Sequence, residues 1–361
     1  MKATSKAKLA MILVLGLTLA ACGGGGGSDD SGPPTVAETN FSLVALEPLQ
    51  AGAFSAGVAI NNTGSAVGVA DDGSKVQGVR WDYSTATLTA TVLEPLTGNS
   101  YSAAYAINDA GISVGESESG ATTQAVFWPA ASTTATALPS DGLFAGGANT
   151  AYAINALGQI AGEAVNDSEG HTVAVYWSNT SATPLVLANL GTLPNAYSSA
   201  YNLSGIGVIV GESLDDNGKI QAVAWLPDGI GGYAAPVLLP ALKDHVGGIA
   251  LSIDDAGRIV GESEEADGTV HGVIWSLNSQ GELTAQVDLG AATSAAGINR
   301  QGRVAGYTEA ETSNDSANIW DGLAISDHKE LAPAFSHGYD INDSSLTVGM
   351  ADYQAFIAIP Q

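Results

Sequence analysis

Apolar and polar positions alternate along this chain in short bursts, and the bursts recur. The stretch "AYAINDAGISVGES" (Ala104 to Ser117) returns as "AYAINALGQIAGEA" (Ala151 to Ala164). Taking the apolar residue of "AIN" as an anchor, equivalents stand at Ile60, Ile107, Ile154, Leu203, Ile253, Ile298 and Ile341, between 43 and 50 residues apart. Eight residues after each anchor comes a glycine, from Gly68 to Gly349. Four residues after each comes another, from Gly64 to Gly302, with Ser345 breaking the series. Farther on stands a tryptophan: Trp81, Trp128, Trp177, Trp225, Trp275 and Trp320, with Phe356 in that place in the seventh unit. All six tryptophans of the protein are used this way.

Each unit predicts four short strands. "AYAIN" is the first, and a turn such as "NDAG" or "NRQG" follows, with the Asn-to-Gly chemistry of a tight hairpin. "ISVGES" or "RIVGES" is the second. An acidic hairpin such as "DDNGK" leads to a third strand ending on the aromatic, "QAVFW" or "HGVIW", and an apolar run such as "TPLVLANL" is the fourth. Helical periodicity is missing from this region, so the class is all-β. Four strands in about 45 residues is the size of a propeller blade. "FSLVALEPL" (Phe41 to Leu49) reads as a spare fourth strand, and the last unit stops after a third strand, "YQAFIAIP". Pairing the two closes a ring, so the expectation is a β-propeller of seven four-stranded blades, closed by the N-terminal strand on the last blade. An open array of β repeats is the alternative. In the ring, "AIN" lines the channel, the second-strand glycine lets neighbouring sheets approach, and the tryptophan packs between blades.

Charge narrows the partners. The chain has 37 acids against 11 bases, a formal charge of −26. Such a surface repels phosphate backbones, so nucleic acid is not an expected partner. Three of the bases, Lys2, Lys6 and Lys8, precede an apolar run too short to span a bilayer, Leu9 to Ala20. The run ends in "LAAC", Leu19 to Cys22, which resembles the lipobox of bacterial lipoproteins. That resemblance implies a signal peptide over residues 1–21 and lipidation of Cys22, the sole cysteine, as a membrane anchor. Residues 22–40, rich in Gly, Ser, Asp and Pro, read as a tether, and residues 41–361 as the propeller domain. In Gram-negative lipoproteins an aspartate after the cysteine favours the inner membrane; Gly23 here points to the outer membrane.

The alternation of "AINxxGxxVG", "AxxW" and a leucine-rich fourth strand resembles the HAF repeat of bacterial extracellular proteins. The His-Ala-Phe triplet of that family survives loosely in His271-Gly272-Val273 and Gln354-Ala355-Phe356, with Gln77, Gln124 and Gln221 in the histidine place elsewhere. The resemblance spans Phe41 to Ile359. It implies export and a repeat β fold and brings no assigned catalytic residues.

Chemistry is sparse. A P-loop, a nucleophile elbow, a dinucleotide fingerprint and an HExxH motif are all missing. The five histidines show no zinc-ligand spacing, and no metal is expected there. His337 and Asp340 lie close in sequence without a nucleophile partner. Directly after the second-strand glycine stand Glu116, Glu163, Glu212 and Glu262, in four successive units. With hairpin acids such as Asp71, Asp72, Asp215, Asp216, Glu264, Glu265 and Asp267, they are expected to form an acidic arc on one face. That arc would hold Ca²⁺ or a basic partner, or be solvated turn chemistry. Three unusual segments, Leu138 to Thr150, Leu226 to Pro236 and Lys243 to Ala250, would mark a grafted site if they converged on one face. The functional expectation is a monomeric, non-catalytic envelope lipoprotein that binds an envelope protein or glycan through a propeller face. The alternatives are a polysaccharide-acting hydrolase or lyase and a surface adhesive module.

Overall fold

The first strand of every repeat pairs with the second, the second with the third, and the third with the fourth, giving seven antiparallel sheets of four strands each. The computed structural model describes residues 41–83, 88–120, 122–140, 148–166, 170–194, 196–309, 315–321, 328–332 and 335–361. The expected leader and tether, with Cys22, lie outside the described residues. Numbering strands along the chain, blade 1 holds β2–β5 (Ser55–Leu93), blade 2 β6–β9 (Tyr101–Ala137) and blade 3 β10–β13 (Asn149–Val186). Blade 4 holds β14–β17 (Ser198–Leu238), blade 5 β18–β21 (Gly247–Ala291) and blade 6 β22–β25 (Thr293–Ala332). Blade 7 joins β26–β28 (Ser336–Pro360) to β1 (Phe41–Ala45). The chain is a seven-bladed β-propeller, and β1 closes it: Phe41 pairs with Pro360 and Ala45 with Phe356.

The tryptophans pack between blades as expected. All six are at most 1% exposed, and each sits in an apolar cluster shared with the preceding blade, as Trp128 does with Val67 and Leu93. The indole N–H groups of Trp81, Trp128, Trp177, Trp225 and Trp275 donate to a carbonyl at the outer edge of that preceding blade; Trp128 Nε1 reaches Glu94 O at 2.9 Å. Phe356 departs from the expected register. It pairs with Gly349, where blades 1 to 5 have a valine such as Val126 or Val223 and blade 6 has Asn318, and Ala358 takes the tryptophan register opposite Thr347. A ring two residues earlier on the same face fills the space that an indole fills elsewhere.

The second-strand glycine works within its own blade, not between sheets. In every blade the first strand carries a bulge, as between Ala104 and Ala106. A Cβ on Gly115 would stand 1.9 Å from the Ala103 carbonyl oxygen, and the other six glycines of the series meet the same obstacle. The bulge re-aims one extra side chain. That side chain is Val58, Tyr105, Tyr152, Tyr201, Leu251, Ala296 or Tyr339, and all but Ala296 belong to the apolar cluster on the ring axis or pack against it. Fourth strands are shorter than the apolar runs suggest: only Thr136–Ala137, Leu185–Val186 and Val237–Leu238 in blades 2 to 4. The leucine that follows each, Leu138, Leu187 or Leu239, is the buried one.

Candidate functional site

The turn that ends each "AIN" explains why asparagine stands there. Asn108 Oδ1 accepts the Ile112 N–H and holds its own hairpin, while Asn108 Nδ2 donates to the Asn155 carbonyl of the next blade. Asn61 bonds to Asn108, Asn155 to Ser204, Asn299 to Asn342, and Asn342 back to Asn61 across the closure. Ser204 and Asp254 replace asparagine in blades 4 and 5; Asp254 keeps the turn with its Oδ1 and ion-pairs with Arg258 at 2.6 Å.

The next residue of each turn forms the rim of a depression on the axis, a cavity of about 270 Å³. Tyr105, Tyr152, Tyr339, Val58 and Leu251 are its floor, and five aspartates, Asp109, Asp254, Asp255, Asp340 and Asp343, line it against one arginine, Arg300. Many rim carboxylates bond to the neighbouring blade. Asp109 accepts the Asn62 N–H, Asp255 that of Gly205, Asp343 that of Arg300, and Asp340 that of Ile60. Arg300 also reaches Asp255 at 2.8 Å. Leu157 and Ile206, 70% and 65% exposed, stand beside this rim.

Beneath the tyrosine floor lies a polar belt, and it corrects the expected acidic arc. Glu116, Glu163, Glu212 and Glu262 do not reach a hairpin face; they stand midway along their strands and turn inward. Glu116 accepts Tyr105 Oη–H at 2.9 Å and, from the next blade, Thr150 Oγ1–H at 2.9 Å. Glu163 repeats this with Tyr152 and Ser199. Glu212 Oε1 accepts from both Tyr197 and Tyr201, while its Oε2 has no hydrogen-bond partner among the described residues. Glu262 accepts from Ser294 at 2.6 Å. Burial pushes the Glu116 and Glu212 carboxyls up to about 7, and raises that of Glu163. In blades 6, 7 and 1 the same position holds Tyr307, Met350 and Val69.

Among the hairpin acids, Asp71, Asp72, Asp215 and Asp267 hold their own turns, while Glu265 faces His271. Asp72 Oδ1 accepts from Ser74 and Lys75, Asp215 from Asn217 and Lys219, Asp267 from Thr269, and Asp71 from Gly73. Asp216 accepts the Thr192 N–H. Bonds from Ser74 hold the Asp72 carboxyl below its ordinary value. The unusual segments do not converge. Leu226 to Pro236 joins the third strand of blade 4 to its fourth at the rim end, where Tyr233 donates to the Gly207 carbonyl. Lys243 to Ala250 enters blade 5 at the hairpin end, where the Val246 N–H bonds to Glu264. Part of Leu138 to Thr150 lies outside the described residues. His337 turns from Asp340 to Asp315, 2.9 Å away, and stacks on Tyr307.

Sequence spacing missed one cluster. His245, Glu265 and His271 place one potential ligand atom each within 4.8 Å of the others. His245 precedes blade 5 and His271 lies in its third strand, 26 residues apart in the numbering. The signal available was their common blade; no metal-ligand motif joins them.

No protein-family model matches the chain, and no curated sequence matches it. Solved structures do. A streptogramin B lyase matches 91% of this chain and 100% of its own, with 10% identity and a TM-score of 0.46. A prolyl endopeptidase structure matches 89% of this chain and 47% of its own, with 9% identity and a TM-score of 0.53. A gluconolactonase of Xanthomonas campestris matches 89% and 90%, with 12% identity and a TM-score of 0.43. At such identities the likeness concerns the fold alone, a scaffold that enzymes also use.

Proposed function

We propose that this chain is a non-catalytic binding module of the bacterial cell envelope, of HAF-repeat type, anchored through Cys22 and seating a basic segment of a protein partner in the axial depression. The observation that carries the reading is the cavity itself: about 270 Å³, floored by tyrosines and lined by five aspartates against one arginine. A lysine or arginine side chain suits that site, since its stem can lie on apolar surface and its head meets carboxylates and tyrosine faces. The exposed Leu157 and Ile206 beside the rim favour a peptide over a sugar. The engagement of rim carboxylates in bonds between blades speaks for binding over acid–base work, which needs a carboxyl pair free to exchange protons.

The test is binding of Lys- and Arg-rich peptides to the full-length protein, with Ala156→Trp as the blocking variant. Ala156 is exposed on the rim. The expected result is salt-sensitive binding that the variant abolishes without changing the melting temperature. Binding that survives Ala156→Trp would move the site elsewhere, and turnover of a polysaccharide would replace this reading with the enzymatic one.

A further inference from the structure

At the hairpin end of the ring, opposite the axial depression, three segments of blade 5 converge. His245 stands just ahead of β18 (Gly247–Ile253). Glu265 follows β19 (Arg258–Glu264), and His271 is the second residue of β20 (Val270–Leu277). The two imidazole rings meet edge to face with centroids 4.7 Å apart. All three residues are half-buried, with one ligand atom from each inside 4.8 Å of the others.

The surrounding bonds decide which ring nitrogens stay open. His271 Nδ1 lies 3.0 Å from Asp288 Oδ1, so it carries a proton and donates. His245 Nδ1 lies 3.1 Å from Ser263 Oγ. That hydroxyl accepts the Leu242 N–H and has two acceptors in reach of its one proton, His245 Nδ1 and, at 3.4 Å, the Gly247 carbonyl. Ser117 and Ser213 make the same bond to the first strand in blades 2 and 4. With the Ser263 proton on the Gly247 carbonyl, as in those two blades, His245 Nδ1 donates to the hydroxyl and the ring presents Nε2 as a lone pair, as a neutral His271 does.

His271 Nε2 faces Glu265 Oε1 at 2.9 Å. With a neutral ring, two acceptors would confront each other there, so a positive species belongs between them. In blades 1 and 4 an amide resolves the same confrontation: Gln77 donates to Asp72 and Gln221 to Asp215. Blade 5 has an imidazole instead and adds a second imidazole beside it. A proton on His271 would serve Glu265 alone, whereas a metal ion would also engage the second imidazole that stands edge to face with it. Two neutral imidazoles and a carboxylate are a zinc donor set with a fourth position open to water. Two nitrogen ligands favour a transition metal over calcium. The carboxylate of Asp288 behind His271 is the support that orients metal-binding imidazoles.

We propose that His245, Glu265 and His271 bind a divalent transition metal of the zinc class, with Asp288 as a positioning residue. Zn²⁺ titrated calorimetrically into the chelator-stripped full-length protein is expected to bind at one equivalent. Co²⁺ in its place is expected to give the visible bands of a four-coordinate site. His271→Gln, which keeps the N–H donor used in blades 1 and 4, preserves the fold and lowers affinity by more than about 100-fold, as does His245→Ala. Asp288→Asn lowers it roughly 10- to 100-fold. His171→Ala, on blade 3, leaves it unchanged. The proposal falls if no equivalent binds, or if His245→Ala and His271→Gln bind Zn²⁺ as the parent does. It falls equally if ring-nitrogen NMR shows His271 protonated at both nitrogens and indifferent to added Zn²⁺. None of these outcomes depends on the peptide-binding reading of the other face.

Discussion

Two glycines of the repeat do different jobs, and single substitutions separate them. Gly158 closes the first hairpin of blade 3 at φ 77°, and nothing stands within 4 Å of where its Cβ would be. Gly158→Ala therefore isolates the left-handed backbone cost, and about 1–2 kcal/mol of destabilisation is expected. Gly115 faces the bulged first strand, where a Cβ would lie 1.9 Å from a carbonyl oxygen. Gly115→Ala is expected to cost several times more than Gly158→Ala, because backbone must shift in a bulge that all seven blades share. Urea denaturation of the two variants beside the parent checks the ratio. Both glycines were visible in the sequence as a period. The reason for the second was not, because a bulge leaves no mark in a strand's alternation. The same blindness misplaced the glutamates. Glu116 and its equivalents follow that glycine, and only the tyrosine re-aimed by the bulge and the hydroxyl of the next blade show that they point inward.

At the scale of strands, the glutamate belt makes stability depend on pH. The ordinary carboxyl value of 4.5 rises to about 7 for Glu116 and for Glu212, with desolvation the main cause. Between those values the folded protein holds protons that the unfolded chain has released. Stability therefore falls as pH rises through the window from 4.5 to 7, and the penalty is complete above it. Glu116→Gln and Glu212→Gln remove the ionisation. Each is expected to match the parent near pH 4 and to exceed it at pH 8, by on the order of 1–3 kcal/mol. Thermal unfolding at the two pH values reads the difference; variants that lose stability equally at both would return the belt to an ordinary hydrogen-bond role. Turn chemistry tests the other polar ring. Asn342→Asp keeps the Oδ1 acceptor for the Leu346 N–H but loses the Nδ2 donor to Asn61. The added carboxylate oxygen faces the Asn61 carbonyl in a buried site, so Asn342→Asp is expected to destabilise by about 1–3 kcal/mol, and Asn342→Ala, whose turn amides lose their acceptor, by a similar amount. The strand order was legible because it repeats in every blade, and the tryptophan wedge because it repeats in six of the seven. Features confined to one blade, such as the His245 and His271 pair, were not, since their partners come together only when the linker before β18 folds onto the β19–β20 hairpin.

The ring as a whole is held by a closure whose two strands come from opposite ends of the sequence. β1 pairs along its full length with β28 (Gln354–Pro360). The Ala355 N–H donates to Ser55 Oγ of blade 1, and Asn342 reaches Asn61 across the same junction. A blade assembled from both ends ties the ring through a sheet, where a break between blades would leave only side-chain packing and these bonds to hold the seam. Circular permutation weighs the two arrangements. Residues 41 and 360 are paired partners, so a short Gly-Ser linker joins them without strain. Opening the chain between Ser279 and Gln280, in the hairpin before β21 (Leu283–Ala291), recreates a closure of three strands plus one in blade 5. That permutant is expected to unfold in one transition near the parent's melting temperature. Opening between Gly98 and Asn99, in the link between blades 1 and 2, leaves no blade shared by the two ends. That permutant is expected to melt several degrees lower and to lose amide protection first in blades 1 and 2, as hydrogen exchange would show. Equal stability of both permutants would mean that the tryptophan wedges and the asparagine ring close the propeller unaided, and that pairing of β1 contributes no more than any other outer strand.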